Sequence, residues 1–177
     1  MIKLDIMSDP ICPWCYIGKT QLDRALAAHP DHPFTIEWHP FQLNPDMPAE
    51  GMDRRAYLED KFGGKAAAVQ VYGNIERHAQ TLGLPIDFAA MQRTPNTINA
   101  HRLVHWAGLD QKQQGLIDGL FDAYFCKGVD IGNTDALCDV AEKSGLERDV
   151  IARLLDSEVD IQMIRERDAH SRKMGVN

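Results

Sequence analysis

Two cysteines separated by a proline and a tryptophan are the residues of this sequence best equipped for chemistry: Cys12-Pro13-Trp14-Cys15, within the stretch SDPICPWCYIGK. Thiols at this spacing can form half of a zinc site, pack as small apolar groups, or open and close as a disulfide. A structural zinc site needs four ligands with a second pair at suitable spacing. The other two cysteines, Cys126 and Cys138, have eleven residues between them and fall in different helical patterns. Inert core thiols would not need the local context described next. The redox reading is therefore the strongest of the three.

That context is a strand, a turn and a helix. Ile2, Leu4 and Ile6 alternate with Lys3, Asp5 and Met7, the period of a strand with one face in a core. A helical pattern follows from Pro13 to about His29, and Phe34, Ile36 and Trp38 alternate again. Strand, helix and strand within so short a span predict a βαβ unit with parallel strands and a right-handed crossover. Cys12 then falls at the helix N-cap, Pro13 at the first helical position and Cys15 at the third. Proline suits that position because its φ is already helical and no needed N–H is lost. Residues i and i+3 on a first turn lie about 5.5 Å apart, within disulfide reach. The unpaired N–H groups and dipole of the helix start favour a thiolate on Cys12, lowering a pKa of about 8.5 to somewhere in roughly 3.5–7.5. Cys12 is thus expected to attack and Cys15, one turn in, to resolve.

Composition bounds the rest. The chain has 177 residues, 44% of them hydrophobic, and a formal charge of −7. That balance, with no basic run, disfavours nucleic-acid or anionic-membrane partners. No apolar run approaches the roughly 18 residues of a membrane helix. The opening MIKLDIMSDP enters strand alternation without a basic-then-apolar leader, so a cytoplasmic address is expected. From Asp53 to Met174 only helical periodicity is found. Helices are predicted over 65–82, from a Thr94-Pro95 start, through Ile117–Phe125, over 134–144 and 147–156, and from a Ser157-x-x-Asp160 capping box to Gly175.

Other residues invite roles beside plain structural ones. Pro13 and Trp14 should tune the site, the indole as a platform for a substrate chain or as packing. His39 and Phe41 follow the second strand and could wall a substrate groove. Asn96, Thr97 and Asn99 at a helix start could hold a carboxylate or peptide backbone, or could simply cap. Asp9 reads as a turn residue before it reads as a nearby charge. His101 and His105 share a helix face, but without a third ligand they make no metal site. No metal is expected.

The order and spacing of DPICPWCYIGK, FTIEWHPFQLNPDMP, YLEDKFG and TPNTINAHRL resemble the DsbA-like thioredoxin-fold oxidoreductases. The similarity is greatest to the FrnE-like branch, relatives of 2-hydroxychromene-2-carboxylate isomerase and kappa-class glutathione transferase. The resemblance implies an α/β fold: a thioredoxin-like βαβ unit over 1–48 with CPWC, and a large all-helical insertion over 49–174. Residues 175–177 would begin a cis-proline loop. It implies no tightly bound cofactor, glutathione as a co-substrate, and protein or small-molecule thiols and disulfides as partners. The isomerase branch usually carries serine at the position of Cys12, so two cysteines favour dithiol exchange. A glutathione-dependent isomerase or transferase of a small aromatic compound is the alternative, and a non-catalytic binding module with a structural CxxC is the second. The family's cis-proline loop and C-terminal strands have no counterpart here, the last proline being Pro95. Truncation, weak activity and an uncovered first strand that invites a homodimer are therefore expected.

Overall fold

A computed structural model describes residues 1–176. Strand β1 (Ile2–Ser8) runs parallel to β2 (Phe34–Pro40), in register from Ile2 opposite Phe34 to Ser8 opposite Pro40. Helix α1 (Pro13–Ala28) makes the crossover between them. Alternation sorts the two faces. Ile6, Ile36 and Trp38 pack on the core, while Lys3, Asp5, Glu37 and His39 form a charged ladder on the opposite face. Gln113 occupies the outer edge of β2: its Oε1 accepts from the Trp38 amide at 2.8 Å and its Nε2 donates to the Trp38 carbonyl at 3.0 Å. A side-chain amide there replaces a third strand and blunts that edge.

The remaining elements are helical apart from a short ladder. β3 (Met52–Asp53) pairs antiparallel with β4 (Arg93–Thr94), bracketing α2 (Arg54–Phe62) and α3 (Lys65–Thr81). Helices α4 (Ile98–Leu109), α5 (Gln113–Phe121), α6 (Thr134–Lys143), α7 (Arg148–Leu155) and α8 (Ile161–Lys173) follow. Leu103, Leu116, Leu120, Phe121, Phe125 and Leu137 are sealed from solvent at the centre of this bundle. Each such side chain contributes roughly 1.5–3 kcal/mol by burial. Lys19 of α1 is buried with them and pairs with Asp23 and with Asp118 of α5, tying the crossover helix to the bundle.

Two predicted helix starts are corrected. Thr94 is not an N-cap: it is buried in β4 opposite Met52, and α4 begins only at Ile98, whose amide is taken by Asn96 Oδ1 at 3.0 Å. The Ser157-x-x-Asp160 box does not form either. Ser157 Oγ donates backwards to the Leu154 carbonyl at 2.7 Å, closing α7. Asp160, at φ 63°, turns the chain into α8 and accepts from Trp106 Nε1 at 2.8 Å. In both places a tertiary partner outcompetes the local cap. The predicted 117–125 helix exists, but α5 widens into a single π turn, Asp122–Cys126, before Gly128. Gly128 sits at φ 64° with the Ala90 carbonyl where a Cβ would lie, so only glycine fits. Of the segment proposed to begin a cis-proline loop, Gly175 and Val176 follow α8, and Asn177 lies outside the described residues.

Candidate active site

The turn after β1 delivers the cysteines. Cys12 caps α1 in extended conformation (φ −86°, ψ 113°), Pro13 opens the helix, and the Cys15 amide donates to Cys12 Sγ at 3.4 Å. The Cys12 amide donates to the Asp9 carbonyl at 2.9 Å, which closes the turn. Both thiols are half-buried and unbonded, so depth does not distinguish them. Trp14 between them is exposed and meets His78 of α3 edge-on at 5.4 Å. Pro13 is buried.

The two sulfurs titrate as a unit. The hydrogen bond between the thiols favours loss of one proton and opposes loss of the second. It lowers Cys15 to about 6 and pushes Cys12 up. Burial opposes the anion on either sulfur. The anion is a property of the pair, and the helix start places the Cys15 amide on Cys12 Sγ.

Directly beneath lies an acid that the sequence reading left in the turn. Asp9 does shape the turn, with Ile11 N donating to its Oδ1 at 3.3 Å, but it is also completely buried. Its Oδ2 accepts from Leu43 N at 2.7 Å and from Thr97 Oγ1 at 3.4 Å. Burial pushes the carboxyl up to about 7, against those donors. His101 of α4 faces it across 3.8 Å, from Nε2 to Oδ1, too far for a hydrogen bond. That Nε2 is buried without any partner, while the ring is hydrogen-bonded to the Phe41 backbone, and burial lowers the imidazole to about 4. The signals were present in outline: an acid three residues before Cys12 at the end of a strand, and a histidine on the apolar face that carries Ala100, Leu103 and Val104.

The other candidates divide. Thr97 joins the cysteine side through Asp9, and Gln42 Nε2 donates to its hydroxyl at 3.4 Å. Gln42 N in turn donates to Asp168 Oδ1 of α8 at 2.8 Å, and Asp168 is held by Arg172 at 2.9 Å. Asn96 and Asn99 do local work: Asn96 Nδ2 donates to the Met47 carbonyl at 2.6 Å, and Asn99 Oδ1 accepts from Arg102 Nη1 at 2.8 Å. Phe41 is buried under the Arg172 guanidinium, 4.4 Å from its ring centre. His39 stands apart, on the charged ladder, 2.8 Å from Asp5. Asp5, Glu37 and His39 offer ligand atoms within 4.8 Å of one another, but Lys3 already bridges the two carboxylates at 3.1 and 2.7 Å. Cys126 contacts the Tyr16 hydroxyl at 3.6 Å and Cys138 is buried in α6.

Known proteins resemble this chain in sequence and fold. A curated relative, the uncharacterised protein YwbO of Bacillus subtilis (strain 168), is 27% identical over 146 residues, covering 82% of this chain and 68% of its own. The crystal structure of a probable DsbA oxidoreductase from Streptomyces coelicolor superposes with a TM-score of 0.88 at 24% identity, over 99% of this chain and 77% of that one. The cytosolic disulfide reductase DsbM from Pseudomonas aeruginosa gives 0.70 at 19% identity, over 98% and 78%. These likenesses establish the fold as DsbA-like thioredoxin, α/β with many helices and a small sheet. The family model for the DSBA-like thioredoxin domain matches residues 3–177, and the chain belongs to that family.

Proposed function

We propose that this protein is a thiol–disulfide oxidoreductase that cycles between a Cys12/Cys15 dithiol and a Cys12–Cys15 disulfide. The observation that carries the reading is the helix start: Cys12 Sγ accepts the Cys15 amide and the two thiols share a readily lost proton. Cys12, as the thiolate that accepts the Cys15 amide, is the nucleophile. Its attack on a substrate disulfide forms a mixed disulfide and expels one substrate thiolate, which takes up a proton. Cys15, deprotonated in turn, attacks Cys12 Sγ, closes the intramolecular disulfide and releases the second substrate thiolate. The protein dithiol is oxidised and the substrate disulfide reduced; the reverse sequence oxidises a substrate dithiol. Asp9, whose charge acts on both sulfurs, is the neighbouring carboxyl that would trade protons with the pair, titrating near 7.

The substrates are protein or small-molecule thiols and disulfides, glutathione among them, in a cytoplasmic setting. Support comes from family membership, from the disulfide reductase activity named for the Pseudomonas neighbour, and from a structure of that neighbour with glutathione. Among the described residues, no helix is long and apolar enough to cross a membrane. The deciding experiment is equilibration against glutathione redox buffers with mass analysis of the pair. A single two-electron transition between dithiol and disulfide is expected, and a pair that stays reduced under every ratio sinks the proposal.

A further inference from the structure

Helices α1 and α3 run side by side in the same sense. His78 meets Trp14 edge-on at 5.4 Å, Ile75 and Ala79 pack with Ile17, and further along Arg24 Nη2 donates to the Leu82 carbonyl at 2.5 Å. Tyr72 lies six residues before His78 on α3, which is about 9 Å along the helix axis. It therefore stands beyond the start of α1, on the side of Cys12. Phe62 and Phe88 meet its ring edge-on at 6.2 and 5.0 Å, and the Arg54 guanidinium lies over its face, 4.6 Å from the centroid. Nη2 of Arg54 is enclosed there without a hydrogen-bond partner. Tyr72, Arg54 and Phe88 line a cavity of about 390 Å³, room enough for a small departing thiol. Burial pushes the phenol up, Arg54 opposes that rise, and negative charge on Cys12 adds to it. The phenol thus keeps its proton and lies within the field of the sulfur.

When Cys12 Sγ forms its new bond to one substrate sulfur, the substrate S–S bond breaks and its electron pair stays on the other. The more basic that departing thiolate, the more slowly it leaves. A donor facing it lowers the barrier, because the charge develops there in the transition state. The helix start itself has little to offer: Pro13 carries no N–H, and the Cys15 amide is taken by Cys12 Sγ at 3.4 Å. We propose that Tyr72 is a catalytic hydrogen-bond donor whose phenol O–H meets the departing substrate sulfur, and that Arg54 is the positioning residue that holds and polarises it. The departing thiolate takes its proton from water, and Tyr72 keeps its own. The inference rests on the dithiol-exchange reading and adds a donor to it.

The test uses two disulfides that differ in the basicity of the departing sulfur. Hydroxyethyl disulfide releases a basic alkyl thiolate, whereas dipyridyl disulfide releases a sulfur whose charge spreads into the ring. Second-order rates are measured with the reduced full chain at pH 7. Tyr72→Phe removes only the hydroxyl and should slow the hydroxyethyl reaction about 10-fold, the worth of one hydrogen bond to a charged acceptor. The dipyridyl reaction should change less than about 2-fold, since its departing sulfur needs little help. Arg54→Met should give the same selective loss at about 3-fold, and Arg54→Lys should recover part of it. Equal slowing of both reactions would mark a packing role and overturn the proposal, as would unchanged rates in Tyr72→Phe. A wild-type chain that reacts with neither disulfide would overturn the exchange reading as well, so the two failures are told apart.

Discussion

Nε2 of His101 lies 3.8 Å from Oδ1 of Asp9, and neither side chain reaches solvent. A buried carboxylate and a buried imidazole at this distance hold one proton between them more easily than none or two. Asp9 ionises late and His101 protonates late, each because burial penalises its charged form. Over a window from about 4 to about 7 the site therefore carries a neutral carboxyl beside a neutral imidazole, next to a thiol pair that loses its first proton at about 6.

Asp9 should make the fold less stable as pH rises. Its folded pKa of about 7 lies above the unfolded value of about 3.9, so the penalty is absent below about pH 4 and grows towards pH 7. It is then constant, on the order of 4 kcal/mol. Asp9→Asn removes the charge but also one acceptor, and should stabilise the protein at pH 8 by about 1–3 kcal/mol. Urea unfolding at pH 8 and pH 4.5 checks this, with little or no gain expected at the lower pH.

His101 acts in the opposite sense. Its folded pKa of about 4 lies below the unfolded value of about 6.5, so stability falls as pH drops through that interval. In the Asp9→Asn background this acid limb should stand alone. His101→Gln should flatten it, as read from urea midpoints between pH 4 and 7.

Alkylation by iodoacetamide should report the shared proton. Half-maximal rate is expected near pH 6, with one of the two thiols modified at pH 7. Cys12→Ser and Cys15→Ser each delete the thiol partner and should move the midpoint of the remaining cysteine upward, towards about 8.5. A wild-type rate that rises only above pH 8 would contradict the shared-proton site.

Trp14 is 49% exposed and meets His78 edge-on, so its loss should cost little stability, under about 1 kcal/mol. As a platform beside Cys12 it should matter more to exchange. Trp14→Ala should slow reaction with an aromatic-containing disulfide peptide about 2–10-fold, the worth of an aromatic contact. Rates with a small aliphatic disulfide should change less.

Arg102 predicts the largest stability loss. It is buried and donates to the carbonyls of Leu154, Ser157 and Val159 at 2.6–2.8 Å, knitting the end of α7 to the entry of α8. Its guanidinium also covers Trp106 at 4.9 Å. Arg102→Met leaves those carbonyls without a donor and should cost about 3–5 kcal/mol in denaturant unfolding. Lysine cannot reach three carbonyls from one point and should recover less than half.

Much of the fold was legible because its signals are local. The alternation of Ile2, Leu4 and Ile6, the CPWC cap with its proline, and the apolar faces of α3 to α7 are each decided by neighbours within a turn or two. Where those readings failed, a distant partner had won. Thr94 went to a strand because Met52 was there to pair, and Ser157 turned back to Leu154 while Arg102 and Trp106 fixed the loop around it.

The sequence by itself determined that two thiols would stand one turn apart at a helix start, since backbone dihedrals and a proline suffice to put them there. Only the tertiary structure decided that Asp9 is sealed opposite His101 and that Thr97 and Leu43 come to its carboxyl. The reason is physical. A cap depends on atoms three or four residues away, whereas desolvation depends on everything that displaces water, and that is assembled from 9, 43, 97 and 101 only when the chain folds.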